Sequence, residues 1–476
     1  MELTFDPAGP PGPAGQTRGP LDRVLALQQI DHPASTVIRA CRPVGTRLGI
    51  RVQPDDAGSR VADALGWICE QAYGYRSDAG RLARRAASAG AMYPVELLWL
   101  TCEQGRWQVF VHDFALRRSL RRPDDAEALA RLLGLAPGQT ALLPVAAAWR
   151  TVQRYGFRGY RYCVLDTAQV LGNVAAVVVA AGLSCAQAVI GSLEEVSGRL
   201  GLGRGELLMP ALVLGPGLDR LGGTRLPGVP AAVPAQAAPG SLEQAPGLAP
   251  VMTRVHRLHA GSEPVAGDVL GVGALTERRS MADATADLDR RESARSFAAE
   301  GLGRHQLGPL RAQIEDFLGH LPVQAEQTVD VRLVRRSGTL LSSQRVSADR
   351  EPIDLCASAR YPAQLEQIFG QQPLAATAAM YLIIGLRSGR NRTVELSTYR
   401  QGLLIAGLLT SRLYRYCTAA GLATTALGGF HDEAVASLAG GGFSPLIVQA
   451  LGNRDDANLK NDGLAATWLQ PAPDRP

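Results

Sequence analysis

Apolar positions along the chain fall into two long blocks with matching patterns. From Val61 to Gly215, helical periodicity alternates with short apolar runs, which predicts alternating helices and strands. Tyr160-Arg161 begins a helical stretch that ends in Ala180-Ala181-Gly182-Leu183. Tyr399-Arg400 begins another that ends in Ala419-Ala420-Gly421-Leu422, and both landmarks lie 239 positions on (399 − 160; 421 − 182). Each helix leads through a short loop and a second helical segment into an apolar strand, Ala211–Gly215 and Ile447–Gly452, where the offset is 237 (452 − 215). An ordered set of matches of this kind predicts a diverged internal duplication. Leu403, Leu404, Ile405, Leu408, Leu409 and Leu413 make the second helix apolar on most faces, and such a helix is buried. The two helices are expected to pack on each other at the centre of a pseudo-dimer. The alternative is that each is the core helix of an independent domain.

Between the blocks, Pro216–Pro250 is rich in Pro, Gly and Ala and poor in large apolar residues, the composition of a linker. As a flexible coil it spans about 33 Å, enough to join lobes packed side by side. The expected organisation is a disordered Pro/Gly-rich tail (1–20), a first lobe (21–215, its start to residue 60 of mixed pattern), the linker (216–250) and a second lobe (251–476).

Composition narrows the classes. The 476 residues are 46% hydrophobic and 20% charged, ordinary for a soluble globular protein. The net charge is +5 with no basic block interleaved with aromatics, so no nucleic-acid partner is expected. Cys41, Cys69, Cys102, Cys163, Cys185, Cys356 and Cys417 form no CxxC pair, and there is no HExxH. Neither a metal site nor a disulfide framework is expected; reduced, buried thiols in a cytoplasmic protein are. No signal peptide is read at the start. The alanine-rich run Val174–Leu183 is shorter than the roughly 20 residues a bilayer requires, so it reads as a core helix and no membrane is implied. Lys460 is the only lysine.

Three segments carry candidate chemistry. Arg291-Glu292-Ser293-Ala294-Arg295-Ser296-Phe297 places two arginines around a serine near an expected helix start; arginine forks match phosphate oxygens. Ser88-Ala89-Gly90-Ala91-Met92-Tyr93-Pro94 precedes the apolar run Val95–Thr101; its small residues admit close approach of a planar ring. Leu427-Gly428-Gly429-Phe430 follows the second helix, and a Gly-Gly turn can present bare N–H groups. Taken singly, the first reads as a solvated Arg/Glu surface, the second as a loop and the third as a common turn.

In this order the three segments resemble the nitroreductase superfamily, and more closely its SagB-type branch, the azoline dehydrogenases of thiazole/oxazole peptide biosynthesis. "RESARSF" is similar to the family's R-R-S-x-R-x-F segment, and "ASAGAMYPVELLWL" to the branch's P-S-A-G-x-x-Y-P-x-E-L-Y segment. "LGGF" resembles the flavin-facing I-E-G-F loop, and "LGNRDDANLKND" the closing strand and basic tail. The resemblance spans 61–215 and 291–460 and implies an α+β, nitroreductase-like fold: two fused lobes forming a pseudo-dimer, with antiparallel or mixed central sheets flanked by helices. It implies FMN as cofactor. The first half has Ser-Ala-Gly but no R-x-S-x-R, and Val189-Ile190-Gly191 stands where the second half has Gly-Gly. The second half has the converse set. One composite FMN site is expected: Arg291, Ser293, Arg295 and Lys460 at the phosphate, Ser88, Ala89 and Gly90 from the other lobe, Gly428 and Gly429 at N5.

The branch carries a Lys-Tyr pair as its proton-handling group; the matching residues here are Arg154-Tyr155. Guanidinium does not act as a base, but its charge is expected to lower the Tyr155 pKa. The implied activity is FMN-dependent oxidation of azolines to azoles on a ribosomal peptide, with a cyclodehydratase complex as partner; the size and fused lobes are similar to thiopeptide-pathway dehydrogenases. The alternatives are a general FMN nitro- or quinone reductase using NAD(P)H, and a degenerate scaffold in a peptide-modifying complex.

Overall fold

A computed structural model describes residues 60–455 apart from 79–80, 115–116, 123, 189, 191, 204, 216–250, 252, 256–258, 260–269, 338–339, 348–352, 361–364, 371 and 388–395. The expected tail, the expected linker, Lys460 and most of Val189-Ile190-Gly191 lie outside these residues.

The first lobe opens with α1 (Arg60–Tyr73) and a hairpin of β1 (Tyr75–Asp78) and β2 (Arg81–Arg84). There follow β3 (Val95–Glu103), β4 (Arg106–Asp113), β5 (Arg118–Arg122), α2 (Ala126–Leu132), β6 (Thr140–Ala147), α3 (Trp149–Tyr155) and α4 (Arg158–Ala180). β7 (Cys185–Gln187), α5 (Leu193–Arg199), β8 (Glu206–Leu208) and β9 (Leu212–Leu214) complete it. The second lobe contains α6 (Met281–Arg290), α7 (Arg304–Gly319), α8 (Val323–Thr328), β10 (Val329–Ser337), β11 (Leu340–Val346) and β12 (Ile353–Arg360). It continues with α9 (Leu365–Ile368), α10 (Leu374–Thr377), β13 (Met380–Arg387), α11 (Leu396–Ala419), β14 (Leu422–Leu427), α12 (Asp432–Leu438) and β15 (Phe443–Asn453).

The duplication is written in the strand orders. The first sheet runs β5-β4-β3-β6-β9-β7 and the second β12-β11-β10-β13-β15-β14, position for position the same path. Every pairing between named strands is antiparallel. The continuous β15 is matched in the first lobe by two short strands, β8 and β9, with Pro210 between them; proline cannot donate to a ladder.

Alternate residues of the central strands face two different cores. Leu97, Trp99, Leu382 and Ile384 face the middle of the molecule, where α4 and α11 lie. Leu98, Leu100 and Leu143 face outward against α2 and α5, and Tyr381, Ile383 and Val448 outward against α9, α10 and α12. Burial on both faces explains why these strands read as unbroken apolar runs.

The two apolar helices do pack on each other. A Cβ on Gly407 would collide with Ala168 and with the Leu165 carbonyl, and one on Gly172 would meet Ser411 Oγ at 2.7 Å. Ala168 and Gly407 are counterparts in the repeat, as are Gly172 and Ser411, each 239 positions apart (407 − 168; 411 − 172). Counterparts meeting each other is the mark of a two-fold, self-complementary interface. Polar ties cross it: Ser411 Oγ donates to Asn173 Oδ1 at 2.9 Å, and Arg415 donates to the Gly172 carbonyl at 3.2 Å. Helix α4 is long and apolar enough to cross a membrane by length and composition, but it is 89% buried inside the molecule.

Two local expectations are corrected. The segments after the paired helices are edge strands, β7 and β14, rather than loops. Arg291 does not start a helix: its ψ of 122° ends α6. Residues 292–303 run irregularly to α7, pinned by Ala294 N–H to the Thr424 carbonyl and Ala298 N–H to the Asn453 carbonyl. Those backbone bonds to β14 and β15 take the place of a helical ladder.

Candidate active site at the lobe interface

The loop between β2 and β3 is bent tightly. Gly90, Ala91 and Tyr93 have φ of 58°, 55° and 43°. Two of these are non-glycine residues in the left-handed region, a strain that survives only where surroundings enforce it. The enforcement is visible. Ser88 Oγ donates to Asp166 Oδ2 at 2.6 Å, Ala89 N–H donates to the same carboxyl oxygen at 3.2 Å, and Tyr93 N–H donates to Ser88 Oγ at 2.9 Å. At the exit, Arg150 pairs with Glu96 at 2.7 Å and donates to the Tyr93 carbonyl at 3.1 Å.

The end of α3 closes over this loop. Arg154 Nη1 donates to the Gly90 carbonyl at 3.3 Å, and a side chain at Gly90 would collide with the Tyr155 hydroxyl. Tyr155 packs edge-on against Tyr162 of α4 with ring centroids 4.8 Å apart. The Tyr162 ring in turn leaves no room for a Cβ on Gly428. The Ser-Ala-Gly loop, the Arg-Tyr pair and the Gly-Gly turn are thus joined through two tyrosines.

Arg291 joins the third segment. Its Nε donates to the Arg85 carbonyl at 2.7 Å, Nη2 to the Arg84 carbonyl at 3.2 Å and Nη1 to Ser293 Oγ at 3.2 Å. Ser293 Oγ also meets the Tyr414 hydroxyl at 3.0 Å, and that hydroxyl accepts the Ala426 N–H at 2.9 Å, two residues before Gly428. Arg291 is 3% exposed, and among the described residues it forms no ion pair. Arg84, 4% exposed, is likewise without a carboxylate partner among the described residues. Its guanidinium sits within 4.4–5.6 Å of the rings of Tyr73, Tyr75, Phe114 and Tyr93, with Nε and Nη1 unbonded. Against the cost of burial, the surrounding tyrosines and the Glu96 carboxylate keep Arg84 charged; Arg291, buried and without an ion pair among the described residues, is the group of this corner that suits an anionic ligand.

Across the lobe boundary, Asp432 at the start of α12 accepts from Arg158 Nη1 at 2.8 Å and from Arg161 Nη1 at 2.9 Å. Arg158 Nε donates to the Gly428 carbonyl at 3.0 Å. Arg161 Nε donates to the Tyr399 hydroxyl at 3.1 Å.

Burial dominates the titration of the site. It lifts the Asp166 carboxyl to about 7, against the opposing hydrogen bonds of Ser88 and Ala89. It also raises the Tyr155 hydroxyl above its ordinary value near 10, although the Arg154 charge acts in the opposite direction. The expected net lowering of Tyr155 by Arg154 is therefore corrected: desolvation outweighs the guanidinium.

Of the residues singled out from sequence, Ser88, Ala89, Gly90, Arg154, Tyr155, Arg291, Ser293 and Gly428 are brought together as described. Gly429 accepts from Gln372 at 3.2 Å on its carbonyl. Arg295 is exposed. Sequence reading missed Arg84, Arg158, Tyr162, Asp166, Tyr414 and Asp432. Asp166, Arg158 and Arg161 carried a signal: they are the charged residues of a helix that is otherwise mostly apolar.

With both lobes and this interface in place, the fold is that of the nitroreductases. The crystal structure of a nitroreductase-type protein from Anabaena variabilis superposes with a TM-score of 0.64 at 17% identity, over 85% of this chain and 90% of that one. Shorter matches include a nitroreductase-type protein of Ralstonia eutropha (20% identity, TM-score 0.30, 36% of this chain and 82% of that one). The Escherichia coli microcin synthetase complex McbBCD with truncated pro-microcin B17 bound matches at 19% identity and a TM-score of 0.29, over 32% of this chain and 62% of that one. No family model and no curated protein matches the sequence.

Proposed function

We propose that this protein is an FMN-dependent oxidoreductase with one composite flavin site between its lobes, and that it dehydrogenates azoline rings to azoles on a ribosomally made peptide. The observation that carries the flavin reading is the convergence of three segments, distant in sequence, on a corner that holds the buried Arg291 guanidinium, which forms no ion pair among the described residues. The residues fit the cofactor. Arg291 uses three of its five N–H donors on protein, leaving two for a phosphate oxygen; Ser293 lies beside it, and Arg295 and Lys460 remain candidates for the same role. Ser88, Ala89 and Gly90 carry only small side chains of their own, and Gly428 and Gly429 supply backbone donors. FMN, when bound there, supplies the hydride acceptor.

The azoline reading rests on the resemblance of Ser88–Glu96 to the SagB-type segment and on the position of Arg154-Tyr155 over Gly90. Removing a proton from the ring falls to Tyr155. Because burial raises its pKa, the phenolate is scarce at neutral pH, and dehydrogenation should quicken as pH rises through the alkaline range. The decisive experiment incubates the FMN-loaded protein with an azoline-bearing peptide and weighs the product. Loss of two hydrogens per ring supports the reading; a yellow protein that leaves azolines intact overturns it.

The neutral Tyr155 favours a second reading specifically. A phenol that stays protonated at neutral pH is available as a hydrogen-bond and proton donor, as a nitro- or quinone reductase using NAD(P)H requires. Such an enzyme consumes NADPH with nitroaromatics, and its rate falls rather than rises at high pH.

A further inference from the structure

The Gly428–Gly429 peptide is held from the opposite lobe. Arg158, on α4 of the first lobe, forks between Asp432 and the Gly428 carbonyl. Its Nε also meets the Tyr162 hydroxyl at 3.1 Å, and its guanidinium lies 4.6 Å from the centre of the Phe430 ring. Four neighbours therefore fix one planar group, 6% exposed. Gln372 of the second lobe holds the next carbonyl, that of Gly429. No cis peptide is present among the described residues, and in a trans peptide the C=O and the following N–H point in opposite directions. Drawing the Gly428 carbonyl toward Arg158 consequently turns the Gly429 N–H away from it. Among the described residues that N–H has no hydrogen-bond acceptor.

We propose that Arg158 is a positioning residue for the flavin: it sets the plane of the Gly428–Gly429 peptide so that the Gly429 N–H is aimed at the flavin N5. The repeat supports a dedicated role. The counterpart of Arg158 is Ser397, that of Tyr162 is Gln401 and that of Asp432 is Leu193, all by the offset of 239. The side chains of the clamp are thus not repeated in the sequence of the other half, where Val189 and Ile190 stand in place of the two glycines. Arg161 provides the internal control. It binds the same Asp432 carboxylate from the same helix and lies 5.9 Å from the Phe430 ring centre, but its Nε is bonded to the Tyr399 hydroxyl, where that of Arg158 is bonded to the Gly428 carbonyl.

The inference rests on the flavin reading above. A fixed N–H donor at N5 favours oxidised flavin, whose N5 is a bare acceptor, over reduced flavin, whose N5 bears hydrogen. Arg158→Lys keeps the charge and loses the fork, because an ammonium is a single point. The full-length protein and its Arg158→Lys and Arg161→Lys variants are loaded with FMN, and the flavin midpoint potential is measured by dye equilibration. The expected result is an upward shift in Arg158→Lys and none in Arg161→Lys. An unchanged potential in Arg158→Lys, or equal shifts in both, overturns the proposal while leaving the flavin reading intact. A wild-type chain that binds no FMN overturns both. A second measurement needs no variant: amide exchange in the peptide spanning 427–431 should slow when FMN is added to the wild-type protein, and exchange at an unaltered rate counts against the assignment.

Discussion

Two ionisable side chains set the behaviour of the site at the scale of the residue. Asp166 is 3% exposed, and its folded-state pKa is raised from 3.8 to about 7. Between those values the unfolded chain has lost the proton and the native chain keeps it. Stability from this group is therefore greatest below about pH 4 and falls as pH rises to about 7, at roughly 1.4 kcal/mol per pH unit. Asp166→Asn should flatten that decline in urea titrations run from pH 4.5 to 8, and an unaltered slope would show that the carboxyl is ionised throughout. Tyr155 is the second. Tyr155→Phe should retain FMN, since the hydroxyl only roofs Gly90, and should lower dehydrogenation by about 10²–10⁴-fold, the usual worth of a positioned proton-transfer group. Loss of flavin together with activity would instead make Tyr155 part of the cradle. The pair Arg154-Tyr155 was legible in the sequence as a position, but its electrostatics were not. A charge adjacent in sequence is visible on reading, whereas the desolvation that outweighs it depends on what α4 packs against the ring.

Elements show the same division. The two long apolar helices announce themselves by composition, and their ends are marked by Gly182 and Gly421, at φ of 77° and 68°; glycine takes this conformation without a Cβ penalty. That the helices cross each other at Gly407 and Gly172 follows only from the assembled fold. Gly407 is an unusual helix residue for this reason. Alanine gains about 1 kcal/mol over glycine inside a helix, yet the added carbon here meets Ala168 and a backbone carbonyl. Gly407→Val should destabilise the protein by about 1–3 kcal/mol or more, the cost of overpacking, read as a lower urea midpoint at constant slope. A neutral outcome would mean that α4 and α11 can separate freely. The strands β7 and β14 escaped notice because they are short edge strands, three and six residues long, with no extended alternation to reveal them. The Arg291 segment was misplaced at a helix start because its sequence has an acceptable helical pattern; bonds from Ala294 and Ala298 to the second sheet override it.

The whole molecule is a two-fold design that has been made asymmetric. Its frame is repeated: strand order, central helices and crossing residues all have counterparts. Its chemistry is not. Asp166 answers to Ile405 and Tyr414 to Ala175, by the same offset of 239. An apolar residue replaces each group that shapes the loop or reaches Ser293. The expected flavin content is therefore one FMN per chain, measured by absorbance after denaturing release against protein concentration. Two per chain would require a second site with none of these side chains. The lobes are also tied by charge, and truncating Asp432 to alanine leaves Arg158 and Arg161 buried without it. The cost should be about 3–5 kcal/mol, seen as loss of the folded baseline at lower denaturant.

By itself, the sequence determined that the chain is a duplication with a buried helix in each half, because periodicity and offset are properties of order along the chain. It also determined the segments Ser88–Gly90, Arg291–Ser293 and Gly428-Gly429 and their division between halves, since their residue types are distinctive. Only the tertiary structure decided that these segments share one corner, that Arg295 stands exposed, and that Arg84, Arg158, Asp166 and Asp432 support the corner. The physical reason is that burial and long-range hydrogen bonds have no signature in local order. A buried arginine without an anion reads the same as a solvated one until the fold removes the water.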